Sequence, residues 1–229
     1  GNATVVNASG LNLAASTVGG TLTVTATTGN IIQSGTLIIT GITTLVTSAN
    51  DATITLDNTS NAFTGALTIT TNDASGMDAA VIIDGGMTAL IIAASTIDGN
   101  LVLISGNASG ITDSGTVTVG GNLAATTNAN AGVINLGTLA VTGTITLAPN
   151  GTGAVTIVNA SGLNLVASTV GGTLSATATT GNITQSGALA ITGTTTLVTS
   201  ANDATITLDN TSNAFIGALA ITTNDASGT

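Results

Sequence analysis

The 229-residue chain carries ten aspartates as its only charged side chains, giving a formal net charge of −10, and it has no His, Cys, Tyr or Trp. Without Lys or Arg it cannot neutralise phosphates, which excludes nucleic acids and a polybasic contact with a membrane surface. Because the chain has no His, Cys, Lys, Tyr, Arg or Glu, catalytic triads and cationic oxyanion stabilisers are missing, and we expect the protein not to be an enzyme.

The apolar content of 43% is too high for a disordered chain. The most apolar run, residues 79–97, is interrupted by Asp84, Gly85 and Gly86. A membrane-spanning helix needs about 20 largely apolar residues, so we expect no membrane insertion.

In chain order, the sequence predicts many short strands, each led by glycine and followed by alternating apolar residues. Thr, Val and Ile favour strands, and glycine and asparagine tolerate positive φ at the turns between them. No window shows a sustained helical period. The glycine-led strands are Gly20–Val24, Gly35–Ile39, Gly65–Ile69, Gly99–Leu103, Gly115–Val119, Gly137–Val141, Gly143–Leu147, Gly153–Ile157, Gly187–Ile191 and Gly217–Ile221.

A long internal repeat relates the two ends of the chain. Residues 4–76 match residues 156–228 at 63 of 73 positions, with a constant offset of 152. Residues 77–152 form a diverged half-repeat, in which Leu90–Ile97 echoes Leu11–Val18. No linker is visible, so we expect residues 1–229 to form one continuous unit.

Strands of this kind build sandwiches, barrels or solenoids. The repetition and the near absence of aromatic residues favour an all-β fold, a single-stranded parallel β-helix or β-solenoid. Most of the ten differences between the copies fall at outward positions, with Val24/Ala176 as the clear inward exception. Thr23, Thr53, Thr55 and Thr68 are expected to be exposed.

The inward positions predict a core that is repeated in the two copies, with each of the two phenylalanines filling a wide corner of its coil. An exposed aromatic platform for a ligand is the alternative for Phe63 and Phe215. The predicted core residues are Leu22, Leu37, Ile39, Ile54, Leu56, Phe63, Leu67 and Ile69, with the copies Leu174, Leu189, Ile191, Ile206, Leu208, Phe215, Leu219 and Ile221.

Two segments carry a resemblance to a known family. Gly181–Leu197 (GNITQSGALAITGTTTL) and Ala204–Thr222 (ATITLDNTSNAFIGALAIT) resemble repeats of filamentous-haemagglutinin-like secreted bacterial proteins, the adhesins of two-partner secretion. The resemblance implies a right-handed parallel β-helix with coils of roughly twenty to twenty-five residues and an extracellular location. It implies no catalytic residues, and the family's amino-terminal secretion domain is not recognisable in this sequence.

The aspartates raise two chemical alternatives. Asp51 and Asp57, with their copies Asp203 and Asp209, are the best carboxylate pairs for glycoside hydrolysis, but duplicated sites on a repeat are more simply turn residues. Together with Asn50 and Asn58, the same carboxylates are weak candidates for structural calcium, since hard oxygen ligands lie close together near turns. Asn and Asp also bond to their own turn backbone without a metal.

Outward Thr-x-Thr pairs suggest a second class of function. Rows of threonine on a flat solenoid face can bind ice, although threonine is also the ordinary outward residue of a strand. The pairs include Thr21/Thr23/Thr25, Thr53/Thr55, Thr68/Thr70, Thr116/Thr118, Thr144/Thr146 and Thr205/Thr207.

The sequence therefore predicts a structural role as an extracellular fibre, surface filament or adhesin shaft. The alternatives are an adhesin face that binds glycans or surfaces, and an ice-binding solenoid. Neither end shows a polar cap or a charged edge strand, and an open sheet edge invites pairing. We therefore expect both ends to continue into further β-coils, from the same chain or from a copy of it.

Overall fold

A computed structural model describes residues 1–72 and 79–225 of the chain, and over these residues the fold is entirely β, without a helix. The ends of the two repeat copies (73–76 and 226–228), the start of the diverged half (77–78) and Thr229 lie outside the described residues. No helix in the described part could cross a membrane.

The strands are short, and most span three to five residues. The first copy contains β1 (Ala3–Asn7), β2 (Leu11–Leu13), β3 (Ser16–Val18), β4 (Leu22–Ala26), β5 (Ile31–Gln33), β6 (Leu37–Ile39), β7 (Thr43–Asn50), β8 (Ile54–Leu56), β9 (Ala62–Phe63) and β10 (Leu67–Asn72). The diverged half contains β11 (Val81–Asp84), β12 (Leu90–Ile92), β13 (Ser95–Ile97), β14 (Leu101–Ser105), β15 (Ile111–Asp113), β16 (Val117–Val119), β17 (Leu123–Thr127), β18 (Ile134–Val141) and β19 (Ile145–Ala148). The second copy contains β20 (Val155–Asn159), β21 (Leu163–Leu165), β22 (Ser168–Val170), β23 (Leu174–Ala178), β24 (Ile183–Gln185), β25 (Leu189–Ile191), β26 (Thr195–Asn202), β27 (Ala214–Phe215) and β28 (Leu219–Asn224).

Most strands pair in parallel with a strand one coil later. Ala3 pairs with Leu22, Leu22 with Thr43, and Thr43 with Leu67, so these coils take 19, 21 and 24 residues. The longest wall follows the order β1-β4-β7-β10-β12-β15-β18-β20-β23-β26-β28, which is ten steps from coil to coil. The predicted parallel β-solenoid is confirmed.

The cross-section of the solenoid changes along its axis. In each repeat copy a coil has three walls, with a second wall beginning β2-β5-β8 and a short third wall of β3-β6-β9 or β22-β25-β27. In the diverged half the third wall is lost, because β13 and β16 join the longest wall. The coils there have two long walls, and the second wall continues as β11-β14-β17-β19.

The core is one column of inward side chains that runs from coil to coil. In β4 the pattern of burial alternates strictly, with Leu22, Val24 and Ala26 buried and the two threonines between them half-buried. Ile31, Leu45, Ile54, Leu56 and Phe63 are fully buried in the same cluster. Alternation places every second residue of a strand on the same side, so the parallel register stacks apolar residues on apolar residues.

Glycine leads the strands for a reason that the sequence did not indicate. We expected positive φ, but positive φ occurs at Gly86, Gly110 and Gly151 among the described glycines, and none of these begins a predicted strand. Instead Gly20, Gly41 and Gly65 stack at one corner, where a methyl group on Gly41 would meet the carbonyl oxygen of Gly20 at 2.6 Å. The Gly41 N–H donates to that same oxygen at 2.9 Å, so a side chain would break the coil contact.

Asparagine side chains join the coils at other corners. The Oδ1 atoms of Asn30 and Asn182 accept the backbone N–H groups of Thr53 and Thr205 in the next coil, at 2.9 and 2.8 Å. These bonds continue the ladder through turns in which strand pairing stops, and so they satisfy backbone donors there.

The core prediction is wrong at the last coil. Leu219 and Ile221 are 44% and 55% exposed, and Ile206, Leu208 and Phe215 are half-buried. Their counterparts one repeat earlier are fully buried beneath the coil that contains β11, β12 and β13. No described strand pairs with the far edge of β28, so the last coil leaves these side chains uncovered.

The expected exposure of four threonines also needs correction. Thr23, Thr53, Thr55 and Thr68 point outward but are half-buried. Thr23 lies between Thr4 and Thr44, and Thr55 between Ile32 and Ile82, at the strand spacing of about 4.8 Å, so neighbours in adjacent coils shield part of each of these two side chains.

Replacing Phe63 with Ala should lower the free energy of unfolding by about 3–5 kcal/mol, because Phe63 is fully buried and the change leaves a cavity. Phe215→Ala is the matched control, since the same residue is only half-buried in the second copy and should lose less. Denaturant unfolding followed by circular dichroism measures both, and equal losses at the two sites would contradict this packing.

Candidate functional site

The duplicated aspartates lie in turns. Asp51 and Asp203 have φ angles of 61° and 60°, and their N–H groups donate to the carbonyls of Asn72 and Asn224 in the adjacent coil. Aspartate is one of the few residues that occupies this left-handed region readily. The backbone conformation therefore accounts for these two residues in both copies.

The structure does not bring Asp51 and Asp57 together. They lie on opposite sides of β8, a strand of three residues and therefore about 10 Å long. The same holds for Asp203 and Asp209 around the isolated bridge at Ile206. Within residues 1–72 and 79–225, no three His, Cys, Asp or Glu residues cluster to hold a metal ion.

Asp84 is a buried carboxylate that the sequence analysis did not single out. It ends β11, is 4% exposed, and its Oδ1 accepts the Gly86 N–H at 2.7 Å. Burial raises the pKa of Asp84, the nearby Asp57 carboxylate raises it further, and the bond from Gly86 opposes both. A single aspartate after an apolar run gave no signal of burial, because the covering coil comes later in the chain.

A polar pair inside the core was also missed. Asn61 is 1% exposed, and its amide forms two bonds with the Gln33 amide, each of 2.9 Å. Its Oδ1 also accepts the Leu37 N–H at 3.0 Å. Gln185 and Asn213 repeat the pair in the second copy, at 2.8 and 2.7 Å. The recurrence of Gln and Asn 28 residues apart in both copies was the available signal.

The outward threonines form a short column in the first copy. Thr4, Thr23, Thr44 and Thr68 occupy one register position in four successive coils. The same column in the second copy contains Thr156, Ser175, Thr196 and Ala220. Thr70, Thr96 and Thr118 form a second column over three successive coils. Thr55 is not continued in this way, since it lies between Ile32 and Ile82.

At two places a corner that contains a serine lies over a strand of the coil before; we call these corners, at Ser95 and Ser168, the serine corners. The Ser95 hydroxyl accepts the Ile69 N–H of β10 at 3.0 Å and donates to the Ala93 carbonyl at 2.8 Å. The Ser168 hydroxyl accepts the Leu147 N–H of β19 at 3.0 Å and donates to the Val166 carbonyl at 2.9 Å. In both cases a strand–Ala–Ser–Thr corner of one coil lies on a single longer strand of the coil before.

Two coil faces are open at the ends of the described solenoid. We call the inward side chains of β1–β3 the amino-terminal face, formed by Ala3, Val5, Leu11, Leu13 and Val18. The carboxyl-terminal face contains Ile206, Leu208, Phe215, Leu219 and Ile221 and surrounds an open hollow of about 420 Å³. Leu219 and Ile221 on the carboxyl-terminal face and Val5 on the amino-terminal face are exposed apolar side chains.

Replacing Asp84 with Asn should raise the melting temperature at pH 7. Because the folded-state pKa lies above the unfolded value, folding stability is greatest below the unfolded-state pKa and falls as the pH rises through the folded-state pKa. The advantage of the variant should shrink as the pH falls through the folded-state pKa and should be lost below the ordinary aspartate pKa of about 3.9, where Asp84 is neutral in both states. Melting curves between pH 3 and 7 test this, and a difference that does not change with pH would refute it.

Comparison with known proteins points to a family of repeats. No curated protein and no solved structure matches the sequence. The family described as repeats of unknown function (DUF5649) matches residues 1–70 and again 152–222, in agreement with the internal repeat. Since these two stretches make up more than half of the chain, the chain belongs to this DUF5649 family of repeats.

Proposed function

We propose that the protein is a structural rod element of an extracellular fibre, surface filament or adhesin shaft. The observation that carries this proposal is the single apolar core, which passes through every described coil without a break between repeat copies. At about 4.8 Å for each of the ten coil steps, the rod is roughly 50 Å long.

The pattern of variation between the copies supports a structural role. At inward positions such as Leu37/Leu189, Ile39/Ile191 and Leu67/Leu219 the residue is kept, whereas outward positions such as Ile38/Ala190 and Thr68/Ala220 differ. A binding surface would be expected to keep its outward residues instead. Where inward residues are exchanged, as at Val5/Ile157 and Val24/Ala176, both remain apolar, so the repeat keeps an apolar stack, as a spacer requires.

The extracellular location rests on composition and on resemblance. The sequence contains no Lys or Arg, so trypsin-like proteases have no cleavage site in it. The resemblance to filamentous-haemagglutinin-like adhesins points in the same direction. We accordingly propose a non-enzymatic role outside the cell, without a required cofactor.

The alternatives have weaker support. Ice binding requires an ordered threonine array, but the column of four threonines in the first copy retains two threonines in the second. A glycan-binding face would need polar and aromatic groups that converge, and both phenylalanines belong to the core side of their coils. Calcium at the Asp51 and Asp203 turns would rigidify a rod without changing its role.

Immunogold labelling of producing cells tests the proposal. Antibodies raised against the purified chain should label filaments or the outer surface of intact cells, and protease shaving that removes surface proteins should reduce the label. A preimmune serum is the control. Label that appears only after permeabilisation would overturn the extracellular role.

A further inference from the structure

The two serine corners lie in two equivalent junctions between coils. Glycine-led strands β10 and β19 occupy equivalent positions in successive half-repeats, beginning at Gly65-Ala-Leu67 and Gly143-Thr-Ile145. Each is covered by a corner of the same type, Leu90–Ile97 on β10 and Leu163–Val170 on β19. The register is the same, because Leu67 pairs with Ile92 and Ile145 pairs with Leu165.

The backbone bonds at the two junctions agree in detail. The Ala93 N–H donates to the Leu67 carbonyl at 2.8 Å, and the Val166 N–H donates to the Ile145 carbonyl at 3.1 Å. On the neighbouring wall, Val81 pairs with Ile54 and Val155 with Ile134. At both half-repeat boundaries, therefore, the same type of covering coil lies on the same type of covered coil.

Each partner of this junction occurs a third time, at opposite ends of the chain. The strand to be covered is β28, which begins at Gly217-Ala-Leu219 and repeats the β10 sequence except that Ala220 replaces Thr68. The covering corner is Leu11–Val18, in which the Ser16 hydroxyl already donates to the Ala14 carbonyl at 2.8 Å. Both lie on the open faces defined above.

We propose that the carboxyl-terminal face of one molecule binds the amino-terminal face of a second copy, head to tail. The junction repeats the internal register: Ala3 pairs with Ile206, Leu13 with Leu219, and Thr17 with Thr222. The Ser16 hydroxyl accepts the Ile221 N–H, and Val5 covers Leu208. The inference rests on the rod function proposed above and names the partner that extends the rod.

Charge is compatible with this contact. The first aspartate of the sequence is Asp51, so the whole amino-terminal coil is uncharged. At the internal junction Asp84 follows Ile83, which pairs with Leu56, and it therefore lies beside Asp57. The same register across the new junction places Val6 beside Asp209. Joining two molecules of net charge −10 through these faces avoids a like-charge pair at the contact.

The contact also has a geometric consequence. It joins two different surfaces, so each added molecule presents a fresh face, and a heterologous contact that does not close gives an open filament. A two-fold contact between identical faces would instead stop at a dimer. The head-to-tail arrangement therefore extends the rod, whereas a two-fold contact does not.

Sedimentation velocity on the full chain tests the proposal with two face variants. The wild type should form a concentration-dependent series of oligomers. Ile221→Asp and Leu13→Asp should each be monomeric alone, with at least tenfold weaker self-association, but a mixture should form dimers and nothing larger, because each variant keeps one intact face. Ala220→Asp, on the outward side of β28, is the matched control and should keep the wild-type series.

A disulfide measures the register independently of the face variants. The chain has no cysteine, so Thr17→Cys with Thr222→Cys places one thiol on each face. Cα atoms on adjacent parallel strands lie about 4.8 Å apart, within disulfide range, so oxidation should give covalent ladders. Thr17→Cys with Ala220→Cys, two residues out of register, should crosslink poorly.

Other outcomes overturn the junction. They are a wild type that stays monomeric at all concentrations, a Leu13→Asp variant that still dimerises alone, a variant mixture that stays monomeric, or equal crosslinking in both cysteine pairs. If the protein is a monomer with intact β-rich circular dichroism and the antibody still labels the cell surface, the junction is rejected and the proposed function stands. If the surface label is lost, the proposed extracellular function is rejected instead.

Discussion

The structure depends on one constraint: every coil must place an inward apolar residue on an inward apolar residue of the coil before. Parallel pairing fixes this, because the backbone bonds between coils also fix the register of the side chains. A slip of one residue would turn Leu22, Val24 and Ala26 outward and three polar or small residues inward. Coil length varies from 19 to 24 residues in the first copy because the corners absorb the difference.

The corners therefore contain most of the sequence-specific chemistry. Glycine columns permit close approach of successive coils, asparagine amides extend the ladder across turns, and serine hydroxyls take the place of a backbone acceptor where one wall divides into two. These corner residues are small and uncharged. A fold held together in this way is compatible with a structural repeat protein.

The strands and the inward column could be predicted from alternation and repetition, as at Leu37 and Ile39. The change from three walls to two could not, because the role of Ser95 depends on Ile69, 26 residues earlier in the chain. The burial of Asp84 and Asn61 was missed for a similar reason, since a polar residue gives no local signal that a later coil will cover it. For Leu219 and Ile221 the error was the opposite one. The sequence pattern predicts that they are buried, but they are exposed because the coil that would cover them is not among the described residues.

The distance between equivalent residues of the two copies tests the stacked arrangement most directly. Thr23 in β4 and Ser175 in β23 face outward on the longest wall and are seven coil steps apart. With both replaced by spin-labelled cysteine in a chain that has no other cysteine, pulsed electron paramagnetic resonance should give a single narrow distance near 34 Å, from about 4.8 Å per step. A broad distribution, or a distance below about 20 Å as in two copies packed side by side at the roughly 10 Å spacing of stacked sheets, would contradict the solenoid.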